Sequence, residues 1–534
     1  MFSILHRLAF ILACVSFLST IYLYHYPLFH RCSFPTPSLY QDDQSSFWSH
    51  FPLRFTAIES TSRSQAPFRL LTLGDPQLEG DTSLPDPTIS HVISLRSLVV
   101  DFLTAESLRK RLDVLQNAVS DLLLRDSLSL FKRYRKQLDL FGNDYYLAHI
   151  YRTMHQHTNP THVTVLGDLL GSQWIDDEEF ERRGVRFWQR VFRYGEKVEE
   201  EVTAEPTIEI LGKDGRWTRR IINIAGNHDV GYAGDMTAAQ VERFDKVFGR
   251  PNWEIMFRLL REETDNRTED HENKEPKLRM VILNSLNLDT PAVDQDLQGE
   301  TYNFINEVIT RSDPVEDRDV GTVLLTHLPL HKESGVCVDS PFFDFHPSDQ
   351  GGGVKEQNHI SYEAGKGLLE GIFGMSGNLD APGQGLGRNG IILTGHDHEG
   401  CDVYHHLPAD EDENARRWNT ARWQDSASLV NQSIPGVREI TVRSMMGDFS
   451  GNAGLLSAWF DYDAGEWRFA YSTCSIGVQH IWWAVHVLLV LTLGLLAFVF
   501  LGTWLDNPSA LGAGKDSLKK NTVNGGSRKS FYGR

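Results

Sequence analysis

Residues 391–402 read IILTGHDHEGCD: an apolar run, Ile391 to Thr394, stops at Gly395, and two histidines follow with one aspartate between them. In extended chain, side chains two apart lie on one face, so His396 and His398 can address a single object. A metal ion is the natural candidate. One such pair decides little alone, and the question is whether other parts of the chain bring further ligands.

Four more stretches share the pattern: LLTLGDPQ (70–77), VTVLGDLLG (163–171), IINIAGNHD (221–229) and VLLTHLPLH (323–331). Short apolar runs of this kind read as buried strands. Helix-like stretches such as Asp177 to Phe192 and Ala238 to Phe248 lie between them. Strands alternating with helices argue for an α/β class. Open α/β sheets gather functional groups at the carboxyl ends of their strands. On that rule Asp75 and Gln77, Asp168, Asn227 and His228, His327, and finally His396 and His398 come to one edge. Taken singly, a GD or a GNHD after a strand is a turn. Five such endings after five apolar runs point to a site.

The donors are oxygens and imidazoles without thiolate, a set that suits Mn²⁺, Fe or Zn²⁺ in a reactive centre better than a Cys-rich structural zinc. They are too many for one tetrahedral ion and fit two, with Asp168 between them. Two metals about 3.5–4 Å apart activate water and clamp phosphorus oxygens during in-line displacement. Phosphoester hydrolysis is the expected chemistry.

The 534 residues allow one large domain with additions, and 12 Trp, 29 Phe and 16 Tyr mark most of it as folded. A formal net charge of −19, with no large basic block in the body, argues against nucleic acid as the partner. Two segments are strongly apolar: Leu8 to Tyr24, and Ile481 to Trp504 with Trp482, Trp483 and Trp504 as interfacial anchors. The first follows a short start, residues 1–7, and reads as a signal anchor rather than a cleaved signal peptide, because no small-x-small site follows it. The tail, 505–534, carries Lys515, Lys519, Lys520, Arg528, Lys529 and Arg534 against Asp506 and Asp516, which places it in the cytoplasm. The body then faces a lumen or the exterior, where the sequons at Asn266 and Asn431 also belong. Of five cysteines, Cys14 lies in the first apolar segment. Cys32, Cys337, Cys401 and Cys474 allow one or two bridges of open pairing.

Residues 25–67 read as a stalk. Thr88 to Gln137 reads as a long helical insertion with apolar positions at three- and four-residue spacing and many Arg and Lys. Two placements suit it, packed on the body or along a membrane surface, and an amphipathic helix pair covered by the body is the expectation. Asp410 to Glu413 reads as a solvated acidic loop, and the stretch after Val437 alternates like hairpin strands that close the sheet. No internal repeat is seen.

The ordered set GD…GD…GNHD…H…GHxH, spanning about residues 68–475, resembles the signature of the calcineurin-like metallophosphoesterases. The resemblance implies a sandwich of two central β-sheets flanked by helices, here between an N-terminal and a C-terminal transmembrane helix. It implies that Asp75, Gln77, Asp168 and His398 hold one divalent ion and Asp168, Asn227, His327 and His396 a second, manganese first, with zinc or iron as alternatives. His228 is implied beside the phosphate, as stabiliser or as acid for the leaving oxygen. Gln77 stands where many relatives carry histidine, which implies a weaker first site. The second block, GDLLGS, lacks the later aspartate that orients the catalytic histidine in the Ser/Thr protein phosphatases, and so disfavours that activity. For Cys401, a structural role or a bridge with Cys337 is expected over metal binding.

GDPQ in place of GDxH, the GNHDVGY stretch and the flanking apolar segments look like the endoplasmic-reticulum membrane branch of the family. That branch removes ethanolamine phosphate from mannoses of glycosylphosphatidylinositol (GPI) anchors, and the trafficking-linked fungal members act on the second mannose. The implied partners are GPI-anchored proteins or GPI glycolipid as substrate, and cargo receptors for such proteins. The alternatives are a nuclease or nucleotide phosphodiesterase with the same metal centre, and a non-catalytic membrane trafficking adaptor.

Overall fold

The computed structural model describes residues 2–37, 65–80, 98–260, 275–408, 417–430 and 434–506. Most of the expected stalk, both sequons, the Asp410–Glu413 piece, the first part of the insertion and the basic tail lie outside the described residues. In chain order the strands are β1 (Phe68–Leu73), β2 (His162–Val165), β3 (Glu196–Lys197), β4 (Thr207–Ile210), β5 (Arg220–Asn223), β6 (Trp253–Arg258), β7 (Lys277–Ile282) and β8 (Val320–Leu325). There follow β9 (Phe343–Phe345), β10 (Val354–Gln357), β11 (Gly390–Thr394), β12 (Cys401–His406), β13 (Asn419–Arg422), β14 (Gly436–Thr441), β15 (Asn452–Asp461) and β16 (Glu466–Ser475).

Two sheets form the body, one in the order β16-β15-β1-β2-β5-β3 and one in the order β13-β12-β14-β11-β8-β7-β6-β4. The centre of each is parallel: β1 with β2 and β2 with β5 in the first, β7 with β8 and β8 with β11 in the second. Their apolar inner faces meet. Leu70, Leu166, Ile222 and Ile224 pack in one core with Phe257, Met280, Val323, Leu325, Ile391 and Leu393, all essentially inaccessible to water. Central parallel strands are buried on both faces, which is why the site-bearing runs are continuously apolar rather than alternating. The expected α/β two-sheet sandwich is what folds. The sequence rule placed all ligands on one sheet edge, whereas three of the site-bearing strands belong to one sheet and two to the other. The stretch after Val437 also divides: β14 joins the second sheet, and the β15–β16 hairpin closes the first beside β1.

The helix expected over Asp177–Phe192 runs from Asp177 to Arg186 and continues through a π-helical turn to Val191. The Ala238–Phe248 helix begins with a capping box between Thr237 and Gln240. The insertion is helical at Leu98–Thr104 and Leu108–Asp121, passes through a π turn at Leu122–Asp126, and resumes from Ser127 to Thr158, well beyond Gln137. Its last turns are anchored in the body by Tyr146, Leu147, Ile150 and Met154, and by the fully buried Asp144, which pairs with Arg186 and Arg190 at 2.6 and 2.7 Å. The earlier turns depart from the expected covered pair, because among the described residues their apolar face is exposed.

Cys337 bridges Cys401, and Cys32 bridges Cys474, with Cα separations of 5.9 and 5.6 Å that suit disulfides. The helices Phe2–Tyr24 and Gln479–Asp506 belong to a second compact unit. They contain apolar spans of 21 and 26 residues, long enough to cross a membrane. Within that unit, His486 Nδ1 donates to the Trp482 carbonyl at 2.7 Å, which leaves Nε2 to accept from the Tyr24 hydroxyl at 3.0 Å.

Candidate metal centre

Strand ends in both sheets turn sharply at the site, and the turns are made by the ligands themselves. Asp75, Gln77, Asp168 and His396 all adopt positive φ, between 41 and 73°. That region costs a non-glycine residue about 1–2 kcal/mol. The cost is borne because each turn is tied to another: Gln77 N donates to the Asp168 carbonyl at 2.8 Å, and His396 N donates to Asp75 Oδ1 at 3.0 Å. The glycines before the ligands leave the room needed. A Cβ on Gly226 would strike the backbone and carboxylate of Asp168, and one on Gly167 would strike the His327 ring.

The ligand atoms fall into two groups that share Asp168. Asp168, His327 and His396 offer atoms within 4.8 Å of one another, as do Asp75, Asp168 and His398. Asn227 belongs with the first group: its Oδ1 lies 3.0 Å from His327 Nε2 and 3.0 Å from His396 Nδ1. The opposite nitrogens of both rings face carbonyls, His327 Nδ1 that of Leu166 at 2.7 Å and His396 Nε2 that of Gln357 at 3.1 Å. A carbonyl only accepts, so those nitrogens carry the protons. Burial lowers both histidines, His396 to about 3, so the rings are neutral. Two lone pairs and an amide oxygen therefore confront one another with no proton between them. A cation resolves that conflict, since ligands about 2.1 Å from an ion and at right angles to it lie about 3 Å apart. Donation of the second ring nitrogen to a carbonyl is also the arrangement that orients metal-binding histidines.

The second group is marked by charge. Asp75 is wholly buried, and its Oδ2 has no hydrogen-bond partner among the described residues. Burial, and then the neighbouring Asp168, push its carboxyl well above the ordinary value. Burial alone would raise Asp168 too, but it is held below its usual range, with the His228 backbone amide donating to its Oδ1 at 2.9 Å. Burial also lowers His398 and keeps it neutral. The residues fit a pair of divalent ions. Gln77 is the exception in orientation: its amide nitrogen, not its carbonyl oxygen, faces Asp168 Oδ2 at 3.0 Å and His398 Nε2 at 3.2 Å. Service as an oxygen ligand requires the amide to turn over.

His228 sits at the edge, its Nε2 3.8 Å from Asp168 Oδ2, and no described residue bonds its buried Nδ1. That agrees with the lack of an orienting aspartate in GDLLGS. Asp229, which reads in sequence as a turn residue, proves to be the strut of the site. Its buried carboxyl group accepts from the amides of Leu169, Leu170 and Gly226 at 3.1, 2.9 and 2.9 Å and so locks the Asp168 turn to the Asn227 turn. Burial and the nearby Asp168 push it up to about 8 against the pull of those amides.

A cavity of about 430 Å³ opens over the ligands. Sequence reasoning missed its outer wall: Trp174, Tyr232, Asp235 and, from the β9–β10 hairpin region, His346 and Glu356. His346 pairs with Asp235 at 2.9 Å. Tyr232, Asp235 and Glu356 lie in the GYAGD and polar GGGVKEQ stretches, and only a close look at those could have raised them; Trp174 and His346 carry no such mark.

No family model matches the chain. It is 32% identical over 407 residues to Protein TED1 of Saccharomyces cerevisiae, an alignment that covers 67% of this chain and 77% of that one. An uncharacterized protein of Schizosaccharomyces pombe is 27% identical over 66% of this chain and 79% of its own. Metallophosphoesterase 1 of Danio rerio is 24% identical over 50% of this chain and 60% of its own. With this similarity, the two-sheet sandwich and the cluster of aspartates and histidines at its strand ends, the chain belongs to the calcineurin-like metallophosphoesterases, a family of phosphoester hydrolases, in the branch of Protein TED1 and Metallophosphoesterase 1.

Proposed function

We propose that the chain is a two-metal phosphodiesterase that removes ethanolamine phosphate from a mannose, the second, of GPI-anchor glycans in the lumen of the endoplasmic reticulum, and so supports remodelling and export of anchored proteins. The observation that carries the reading is Asp168, shared by two separate groups of ligand atoms. Two divalent ions, manganese foremost, supply Lewis acidity and water activation when bound. Asp75, Asp168, His398 and a turned Gln77 hold one. Asp168, Asn227, His327 and His396 hold the other.

The remaining work falls to the chain's own side chains. His228 faces the cavity and gives a proton to the mannose oxygen as the P–O bond breaks, while the hydroxyl of the attacking water joins phosphorus; the water's other proton passes to solvent, from which His228 regains one. Phosphoethanolamine and a bare mannose hydroxyl are the products. Trp174, 69% exposed on the cavity wall, offers a face for a sugar ring. Asp235 and Glu356 offer carboxylates to the ethanolammonium group. A lumenal body accords with the basic tail beyond the second apolar helix and with two disulfides, which persist in oxidising compartments. Cargo receptors for GPI-anchored proteins are the expected partners, and nucleic acid is not.

Purified full-length chain in detergent, given Mn²⁺ and a synthetic mannosyl phosphoethanolamine diester, should release phosphoethanolamine detectable by mass spectrometry, and a chelator should stop it. Cleavage of bis-p-nitrophenyl phosphate without cleavage of the mannoside would keep the hydrolase and remove this substrate. A strong preference for DNA would favour the nuclease reading.

A further inference from the structure

The helical insertion forms an arm, Leu108 to Phe141, about 50 Å long at 1.5 Å per residue. Its last turns rejoin the body, where Lys136 pairs with Glu79 at 2.5 Å and Arg190 lies over the Phe141 ring. Leu112, Val119, Leu124, Leu128, Phe131 and Leu138 recur along it at helical spacing, and each is between 51 and 71% exposed. Soluble surfaces carry such residues singly, not as a stripe along a whole helix. The arm's charge is also unlike that of the chain. Residues 108–141 hold eight Lys or Arg against four Asp, in a protein of net charge −19.

An apolar stripe with Leu and Phe, and a polar face rich in Lys and Arg, is the composition of a helix that lies in a membrane interface. A second copy of the chain fits less well. The π turn at Leu122–Asp126 breaks the seven-residue repeat that a continuous coiled-coil seam needs, and two net-basic arms would repel. The body is joined by chain connectivity to two helices long and apolar enough to cross a membrane, since Cys32 and Cys474 are each only a few residues from one of them. We propose that the arm Leu108–Phe141 lies on a phospholipid bilayer, its apolar stripe among the acyl chains and its basic side chains at the headgroup phosphates. This interaction surface is independent of the substrate proposed above.

The test uses full-length chain with Cys14→Ala, the two disulfides intact, and one new cysteine at a time. Leu112→Cys and Phe131→Cys report the stripe, and Asn117→Cys and Gln137→Cys the opposite, polar face; all four positions are exposed, so the core is undisturbed. Each is labelled with an environment-sensitive fluorophore and reconstituted into phosphatidylcholine vesicles. Quenching is compared between doxyl-labelled lipid and aqueous iodide, the latter on both sides of the membrane. The stripe probes should be quenched by the lipid quencher at least about twofold more than the polar-face probes, with iodide giving the reverse order. Equal access of iodide to all four would overturn the proposal. Protection of the stripe from both quenchers would overturn it too, in favour of a second copy if Phe131→Cys chains also cross-link, and of packing on the chain's own body if they do not.

Discussion

Gln77 sets its amide nitrogen 3.0 Å from Oδ2 of Asp168, the carboxylate that both groups of ligand atoms share. A donor therefore stands where the first ion needs an acceptor. Gln77→His replaces it with a ring nitrogen that carries a lone pair and spares the amide its turn. We expect Mn²⁺ at that site to bind about tenfold tighter, equivalent to about 1.4 kcal/mol, by titration calorimetry of the metal-free chain. Unchanged affinity would mean that Gln77 is not beside the ion.

Asp168→Asn keeps the size of the side chain and removes the charge between the two groups. Metal content per chain, by inductively coupled plasma mass spectrometry, should fall from two toward none. Hydrolysis of bis-p-nitrophenyl phosphate should fall by at least about 100-fold, since even residues that only orient ligands are worth 10–100-fold. Unaltered metal content would dissolve the idea of a shared ligand.

Asp229 touches no proposed ion, yet three buried amides depend on it. Asp229→Ala leaves all three without a partner and should cost about 3 kcal/mol or more in denaturant unfolding, with loss of metal. Asp229→Asn keeps one acceptor and should fall between.

The pH dependence of the metal-free chain follows from the buried carboxyls. Asp229, pushed up from 3.8 to about 8, and Asp75, raised well above 3.8, keep their protons in the folded state at pH values where the unfolded chain has released them. The folded state then binds more protons, so stability falls as pH rises toward 8. Buried neutral histidines such as His162, lowered from 6.5 to about 3 by burial, act in the opposite sense, but only below 6.5. Between pH 6.5 and 8 the metal-free chain should therefore lose melting temperature, and Mn²⁺ should stabilise more at pH 8 than at pH 6.5. Equal stabilisation at both would contradict proton release from these carboxyls on metal binding.

The cavity wall gives a selectivity test. Asp235→Asn with Glu356→Gln removes the two carboxylates and should raise KM for the phosphoethanolamine diester while leaving bis-p-nitrophenyl phosphate hydrolysis nearly unchanged. Parallel losses on both substrates would show a structural role only.

The strand ends were legible because buried parallel strands are short, unbroken apolar runs, and because Gly167, Gly226 and Gly395 mark turns too crowded for a side chain. The ligand residues stood at those marks. Asp229 was not legible, since an aspartate in a turn and one that ties two turns together read alike. The pairing of Cys32 with Cys474, 442 residues apart, depends on the closing β15–β16 hairpin and leaves no local trace. The Gln357 carbonyl that orients His396 is a main-chain group, available from any residue type. The exposure of the arm was hidden for another reason: amphipathic spacing records a face that is covered, not what covers it.

The decisive measurement is of the glycans of GPI-anchored proteins, by mass spectrometry, in cells lacking this chain and rescued with wild type or Asp168→Asn. Ethanolamine phosphate should be retained on one mannose, the second, and cleared by wild type but not by Asp168→Asn at equal expression and location. Glycans unchanged by loss of the chain, or cleared equally by Asp168→Asn, would contradict the proposed reaction.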